Sequence, residues 1–178
     1  MRNKFLLAIL IGFSALLINC KGENKEEKQV TPEIDNSFKI TMNLVVPKDD
    51  DFQFFYNEDG SDIYTADKCV TVSVKGSPDS QDVVFKLPQD VIPESLRFDI
   101  GSNKEQGDVK INKFTMEYMS KKFSANGDLF YFYLGNNSSI KYDREKGIAT
   151  PLPNNPEGYD PIFTATEYLK AELKKLTR

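Results

Sequence analysis

The chain predicts an all-β fold, an antiparallel β-sandwich of jelly-roll type with a C-terminal helix, preceded by a signal peptide and a flexible tether. Three observations carry that reading. Apolar residues recur at every second position in short runs between Phe38 and Ile111. Clusters of Gly, Pro, Asn, Asp and Ser separate the runs and supply turn chemistry. At the end of the chain the apolar period lengthens, with Leu169, Leu173 and Leu176 at i, i+4 and i+7.

The elements follow in order. Phe38, Ile40, Met42, Leu44 and Val46 alternate with Lys39, Thr41, Asn43 and Val45, which predicts a half-buried strand closed by Pro47 and Lys48-Asp49-Asp50-Asp51. Phe52, Phe54 and Tyr56 start a second strand, ended by Asn57-Glu58-Asp59-Gly60-Ser61. Val70, Val72 and Val74 form a third, with Thr71 and Ser73 on the opposite face. After the turn Gly76-Ser77-Pro78-Asp79-Ser80, Val83, Phe85 and Leu87 give a fourth, and Leu96, Phe98 and Ile100 a fifth. Val109-Lys110-Ile111 opens a sixth. Its parity then slips, because Phe114, Met116 and Tyr118 lie on even positions, so one extra residue near Asn112-Lys113 predicts a β-bulge.

Leu129 to Leu134 (LFYFYL) is apolar on both faces and reads as a strand, either central or with an aromatic outer face. Ile140-Lys141-Tyr142 suggests another short strand, and Pro151 to Gly158 a rigid loop. The final helix is placed at about residues 164–177. Thr164 and Glu167 have capping-box spacing there, and Lys174, Lys175 and Arg178 suit the C-terminal dipole.

The N-terminus has a different character. Arg2 and Lys4 precede an uncharged, mostly apolar run from Phe5 to Ile18. That pattern reads as a signal peptide over residues 1–19, and the run is short for a span of a hydrocarbon core about 30 Å thick. Leu17-Ile18-Asn19-Cys20 resembles the lipobox of bacterial lipoproteins, with Asn19 where Gly, Ala or Ser is usual. The resemblance implies that Cys20 is acylated and that the chain is exported and anchored on a membrane. Each buried CH2 of such an anchor contributes about 0.8 kcal/mol. Residues 20–36 are charged and nearly free of large apolar side chains, so they form a tether rather than a packed element. Lys25-Glu26-Glu27 resembles the short export signal that places some Bacteroidetes-type lipoproteins on the outer face of the cell, so the expected location is the periplasmic or the cell-surface side of the outer membrane. Residues 37–178 form the sandwich domain with its helix.

Composition excludes several chemistries. The chain has no His, so imidazole-based triads and His metal sites are absent. It has two Cys, and with Cys20 acylated only Cys69 remains, which leaves no intrachain disulfide. Net charge is −4, and losing Arg2 and Lys4 with the signal takes it to about −6, which argues against nucleic acid as a partner. No G-x-S-x-G elbow, P-loop or dinucleotide glycine pattern is present, and a glycosidase-type carboxylate pair stays open because pairs among the 27 Asp and Glu are not read from spacing.

Between Phe54 and Tyr118, Val84-Phe85-Lys86-Leu87-Pro88, Ser95 to Gly101 (SLRFDIG) and Gly107-Asp108-Val109-Lys110-Ile111 follow one another. This order resembles the core of galactose-binding-like, carbohydrate-binding-module-like jelly rolls. The resemblance covers about a third of the chain and implies fold more than function.

Candidate site residues follow from that chemistry. Tyr131 and Tyr133 would share one strand face and form a stacking platform for a sugar ring, although the chain has no Trp. Arg97 and Asp99, two apart on one strand face, read as an ion pair or as a polar clamp for a ligand. Asp49, Asp51, Asn57, Asp59 and Asp62 are candidate oxygen ligands for a structural Ca2+, without EF-hand spacing. Cys69 reads as an inert strand-start residue. The expected function is a non-catalytic, lipid-anchored binding module of the cell envelope, for glycan. The alternative is a structural or accessory lipoprotein that binds an envelope protein.

Overall fold

The computed structural model describes residues 35–178. The predicted signal peptide, Cys20 and all of the tether before residue 35 lie outside the described residues.

Eleven strands and two helices are present among the described residues. They are β1 (Lys39–Val46), β2 (Asp50–Asn57), β3 (Cys69–Val74), β4 (Ser77–Lys86), β5 (Ser95–Asp99), β6 (Val109–Tyr118), β7 (Lys121–Asn126), α1 (Gly127–Tyr133), β8 (Leu134–Asn136), β9 (Ile140–Asp143), β10 (Ile148–Pro151), β11 (Ile162–Ala165) and α2 (Glu167–Thr177). One sheet runs β4-β1-β6-β10-β9, with β7 also paired to β6, and the other runs β3-β2-β5-β11-β8. All pairings are antiparallel. The fold is therefore an all-β sandwich with a C-terminal helix. The chain crosses repeatedly between the two sheets, with the hairpins β2–β3, β6–β7 and β9–β10 each staying within one of them.

Period-two burial explains β1, β2, β3 and β6 and the Val83–Lys86 half of β4, whereas Ser77–Ser80, read from sequence as a turn, form the largely exposed first part of β4. Ile40, Met42, Leu44 and Val46 of β1 are buried, and so are Phe52, Phe54 and Tyr56 of β2 and Phe98 of β5. The sixth strand carries its predicted bulge. Lys113 faces Asn43 and Ile111 faces Leu44, which leaves Asn112 as the extra residue. Its amide donates to Asn43 Oδ1 at 3.0 Å. The slip lets Val109 and Ile111 point inward together with Phe114 and Met116.

The bulge is also where two glycines pack. A Cβ on Gly127 would lie 1.9 Å from the Ile111 carbonyl oxygen, and one on Gly147, at φ +65°, would lie 2.6 Å from it. The Ile111 amide donates to the Gly147 carbonyl at 2.7 Å. Both chain segments thus close on one point of β6.

The predicted strand at Leu129–Leu134 is instead helix α1, from which β8 leaves at Leu134. Phe130 and Leu134 are both buried, a spacing that a strand and a helix satisfy equally. Phe132 separates the two readings. A strand would bury it beside Phe130, whereas in the helix it is 51% exposed, as is Leu129 at 45%. Asn126 stands at the N-cap and Asp128 in the first turn, where a carboxylate suits the dipole.

β7, β10 and β11 lack a strong apolar alternation, so the sequence pattern does not place them. The final helix begins three residues later than its predicted start. Thr164 lies in β11, and Thr166 is the N-cap of α2. The Thr166 hydroxyl turns away from the helix and donates to the Phe132 carbonyl at 2.6 Å. Leu169, Leu173 and Leu176 are buried as the period required.

Candidate functional site

The site is built on the outer face of the second sheet. Inner positions Phe54 and Phe98 pair across β2 and β5, and Phe98 pairs with Phe163 on β11. Their sequence neighbours must therefore point outward. One outward row runs Cys69, Phe55, Arg97, Thr164, and the next runs Thr71, Gln53, Asp99, Ile162.

Arg97 and Asp99 form a two-pronged ion pair. Arg97 Nε donates to Asp99 Oδ1 at 2.8 Å and Nη2 donates to Oδ2 at 2.5 Å. The guanidinium carbon lies 4.3 Å from the centre of the Phe55 ring and 5.9 Å from that of Tyr64. Tyr64 is fixed in turn, because its hydroxyl donates to the Leu96 carbonyl at 3.0 Å and lies 2.7 Å from Ser95 Oγ. Asp99 is 8% exposed. Burial pushes its carboxyl above the usual carboxylate range, against the hydrogen bond and charge of Arg97. Arg97 is held more firmly charged by the same partner.

Beside the pair lies a groove of about 310 Å3, lined among others by Asp51, Gln53, Thr71, Asp99, Ser102 and Tyr159. That is the small end of ligand-site volumes, about 300–1,000 Å3. Gln53 Nε2 donates to Thr71 Oγ1 at 3.0 Å, and among the described residues its carbonyl oxygen takes no hydrogen bond and can accept one. The Tyr159 hydroxyl donates to the Asn103 carbonyl at 2.9 Å, and this sets the ring at the groove wall. The wall itself is clamped. Asp50 accepts from the backbone N–H groups of Ser102 and Asn103 at 3.1 Å, and Gln106 reaches both Asp50 and Lys48. Gly101, at φ +83°, has no room for a Cβ against the Asp50 carboxylate. The arrangement offers directed donors and acceptors beside aromatic rings, which is the chemistry of recognising hydroxyl-rich surfaces.

Of the sequence candidates, Arg97 and Asp99 stand together as an ion pair in this face. Tyr131 and Tyr133 do not form a platform. They are two residues apart on a helix, about 200° around its axis. The Tyr131 ring stacks on Tyr142 at 6.4 Å and lies 3.4 Å from the Arg144 guanidinium carbon. Tyr133 meets the edge of Phe123 at 4.9 Å.

The proposed Ca2+ ligands are also separated. Asp49 and Asp51 flank the start of β2, whereas Asn57 ends it and Asp59 and Asp62 follow, about 20–25 Å away along an eight-residue strand. Each has a local partner. Asp49 pairs with Lys75 at 2.6 Å, Asp51 accepts from Ser73 Oγ at 2.5 Å, and Asp59 accepts from the Ser61 amide at 3.0 Å. Asn57 donates to the Ser61 carbonyl at 2.6 Å, and Asp62 pairs with Lys170 at 3.1 Å. Among the described residues no cluster of three Cys, Asp or Glu side chains could hold a metal. Burial pushes the Cys69 thiol up, so it sits in the outer row as a neutral group.

Sequence reasoning missed Gln53, Phe55, Tyr64 and Tyr159. Gln53 and Phe55 were legible as the outward partners of Phe52, Phe54 and Tyr56. The two tyrosines reach the face from loops, and no local periodicity signals that. Comparison with protein-family models, with curated proteins and with solved structures finds no match to this chain.

Replacing Arg97 by Met leaves the Asp99 carboxylate without its partner. The destabilisation at neutral pH is expected to lie between about 1 kcal/mol for an exposed pair and about 3–5 kcal/mol for a buried one. The folded-state carboxyl already titrates above its unfolded value, so its charge opposes folding as pH rises through that range. Without Arg97 the opposition grows. The gap between wild type and variant should narrow as pH falls through the Asp99 titration and protonates the carboxyl. Urea melts across that range, with NMR titration of the Asp99 carboxyl, check this. An unchanged Asp99 titration in the variant would contradict the pairing.

Proposed function

We propose that the protein is an exported, lipid-anchored envelope lipoprotein whose sandwich binds glycan without turnover. The outer face around Arg97, Asp99 and the Gln53 groove is the proposed binding surface. One observation carries the reading: a guanidinium stacked on Phe55 and paired to Asp99 beside a small groove with a Gln53 carbonyl that can accept a hydrogen bond and a Tyr159 wall. A pyranose presents hydroxyls along its edges and C–H groups on its faces, and these need paired polar groups and aromatic rings respectively. The N-terminal pattern ending at Cys20 supports anchoring.

A second reading, an accessory lipoprotein that binds an envelope protein, is favoured by a different surface. Leu129, Phe132 and Tyr168 are 45%, 51% and 68% exposed. Thr166, bonded to the Phe132 carbonyl, brings the start of α2 beside them. Exposed apolar side chains of this kind suit a protein contact.

A glycan-array screen of residues 34–178, which contain the whole core, tests the leading reading. Binding is expected for wild type and a loss of at least about tenfold for Gln53→Ala, the scale of one directed hydrogen bond at 1–1.5 kcal/mol. Binding to no glycan would overturn it and turn attention to the Phe132 surface. Anchoring has its own readout. Radiolabelled palmitate should enter the wild-type chain in a bacterial host and not Cys20→Ser. Labelling of both, or of neither, would contradict the anchor.

A further inference from the structure

The groove beside Arg97 and Asp99 is unbalanced in its hydrogen bonding. Each directed donor there already serves a protein acceptor. Arg97 Nε and Nη2 donate to Asp99, Gln53 Nε2 to Thr71, and the Tyr159 hydroxyl to the Asn103 carbonyl. The groups left over are acceptors. Among the described residues Gln53 Oε1 and Asp51 Oδ2 take no hydrogen bond. Asp160 is bonded through its backbone alone, so both of its carboxylate oxygens are left over too. The hydroxyls of Thr71 and Ser102, also at the groove, can serve either way.

The charges lean the same way. Arg97 and Asp99 cancel. Around them stand the carboxylates of Asp50, Asp51 and Asp160 and one cation, Lys104, whose ammonium lies 6.0 Å from the centre of the Tyr159 ring and whose neighbour Glu105 is also exposed. Lys75, just past the end of β3, is paired with Asp49 at 2.6 Å. The groove is therefore net acidic. The Asp160 charge reaches both members of the central pair, since it helps to push the Asp99 carboxyl up and to hold Arg97 charged. Asp51 and Asp160 come from opposite sides of β5. Asp51 lies on β2 and Asp160 stands just before β11, the two strands that flank β5. Strands two apart lie about 10 Å from each other, so both aspartates can reach one small cation between them.

A carboxylated or sulfated sugar brings acceptors and negative charge, and both oppose this groove. A neutral sugar brings hydroxyls that work either way. An ammonium is three donors with no acceptor, the complement of what is left over. We propose that the glycan is one with unacylated amines, a hexosamine unit whose protonated nitrogen sits between Asp51 and Asp160 and whose ring edge meets Gln53 and Tyr159. The proposal rests on the glycan reading and narrows it from sugars in general to cationic ones. Asp51 and Asp160 then set the specificity, while Gln53 and the Arg97–Asp99 pair hold the ring whatever its substituent.

The test is isothermal titration calorimetry of residues 34–178 with the tetramers of glucosamine, N-acetylglucosamine, glucose and galacturonic acid. The glucosamine tetramer should bind at least about fivefold more tightly than the N-acetylglucosamine and glucose tetramers, and the galacturonic acid tetramer should bind most weakly. Asp51→Asn/Asp160→Asn should abolish that preference and leave the affinity for the glucose tetramer unchanged, because each asparagine keeps an acceptor. Asp90→Asn/Glu94→Gln removes the same charge toward the far end of β2, where the Glu94 amide donates to the Asn57 carbonyl at 2.8 Å, and should keep the preference. Equal losses in the two double variants would overturn the proposal. So would displacement of the glucosamine tetramer by ethylammonium as readily as by glucosamine, which would make the groove a plain cation site. Neutral tetramers that bind as tightly as the glucosamine one would overturn this inference and leave the glycan reading standing. Binding of no tetramer would overturn it as well, and the array then decides the glycan reading.

Discussion

A chain of six phenylalanine rings holds the two sheets together. Phe85 on β4 meets Phe54 on β2 at 4.9 Å, and Phe54 stacks on Phe98 of β5 at 4.8 Å. Phe98 lies against Phe163 of β11 at 6.3 Å, Phe163 meets the edge of Phe130 in α1 at 5.2 Å, and Phe130 meets Phe114 of β6 at 5.8 Å. All six are fully buried. With no disulfide among the described residues, this apolar contact and the strand ladders carry the fold. Truncating any one ring in such a core costs about 3–5 kcal/mol, a large share of a domain's stability.

The outer face depends on the same rings. A strand that slips by one residue sends every side chain to the opposite side. Phe54, Phe98 and Phe163 in mutual register leave Gln53, Phe55, Arg97, Asp99 and Thr164 no direction but outward. The Arg97–Asp99 pair then forms between next-but-one residues of one strand, and the Phe55 ring is already in place beneath the guanidinium. The groove wall is made differently. It comes from the loop after β5, drawn in by Asp50 and Gln106 through backbone hydrogen bonds. A core that fixes register and a polar clamp that fixes a loop together position the face.

Much of this was legible in residue order. Alternation placed β1, β2, β3, β5, β6 and the second half of β4, whose exposed start at Ser77–Ser80 reads as a turn, and the parity change between Ile111 and Phe114 placed the bulge at Asn112. Arg97 and Asp99 were legible because both lie opposite Phe98. The misreadings have physical causes. In LFYFYL the buried pair Phe130 and Leu134 fits either period, and only the tertiary position of Phe132 decides. Gly127, which fixes the start of that helix, acts through a carbonyl sixteen residues earlier in the chain. Asp49 and Asp59 looked like one acidic cluster because sequence distance hides the length of the strand between them. Tyr64 and Tyr159 come to the face from loops, and loop placement follows from hydrogen bonds such as Tyr159 to Asn103 rather than from any periodic pattern.

Native-state hydrogen exchange tests the central constraint most directly. If the phenylalanine chain sets register and holds both sheets, the amides of Phe54, Phe98 and Phe163 exchange only through global unfolding, with the free energy of the whole domain. The edge strands β3 and β8 should open at lower cost. Amides of Phe54, Phe98 and Phe163 that exchange through local opening, no more slowly than those of β3 and β8, would contradict the account.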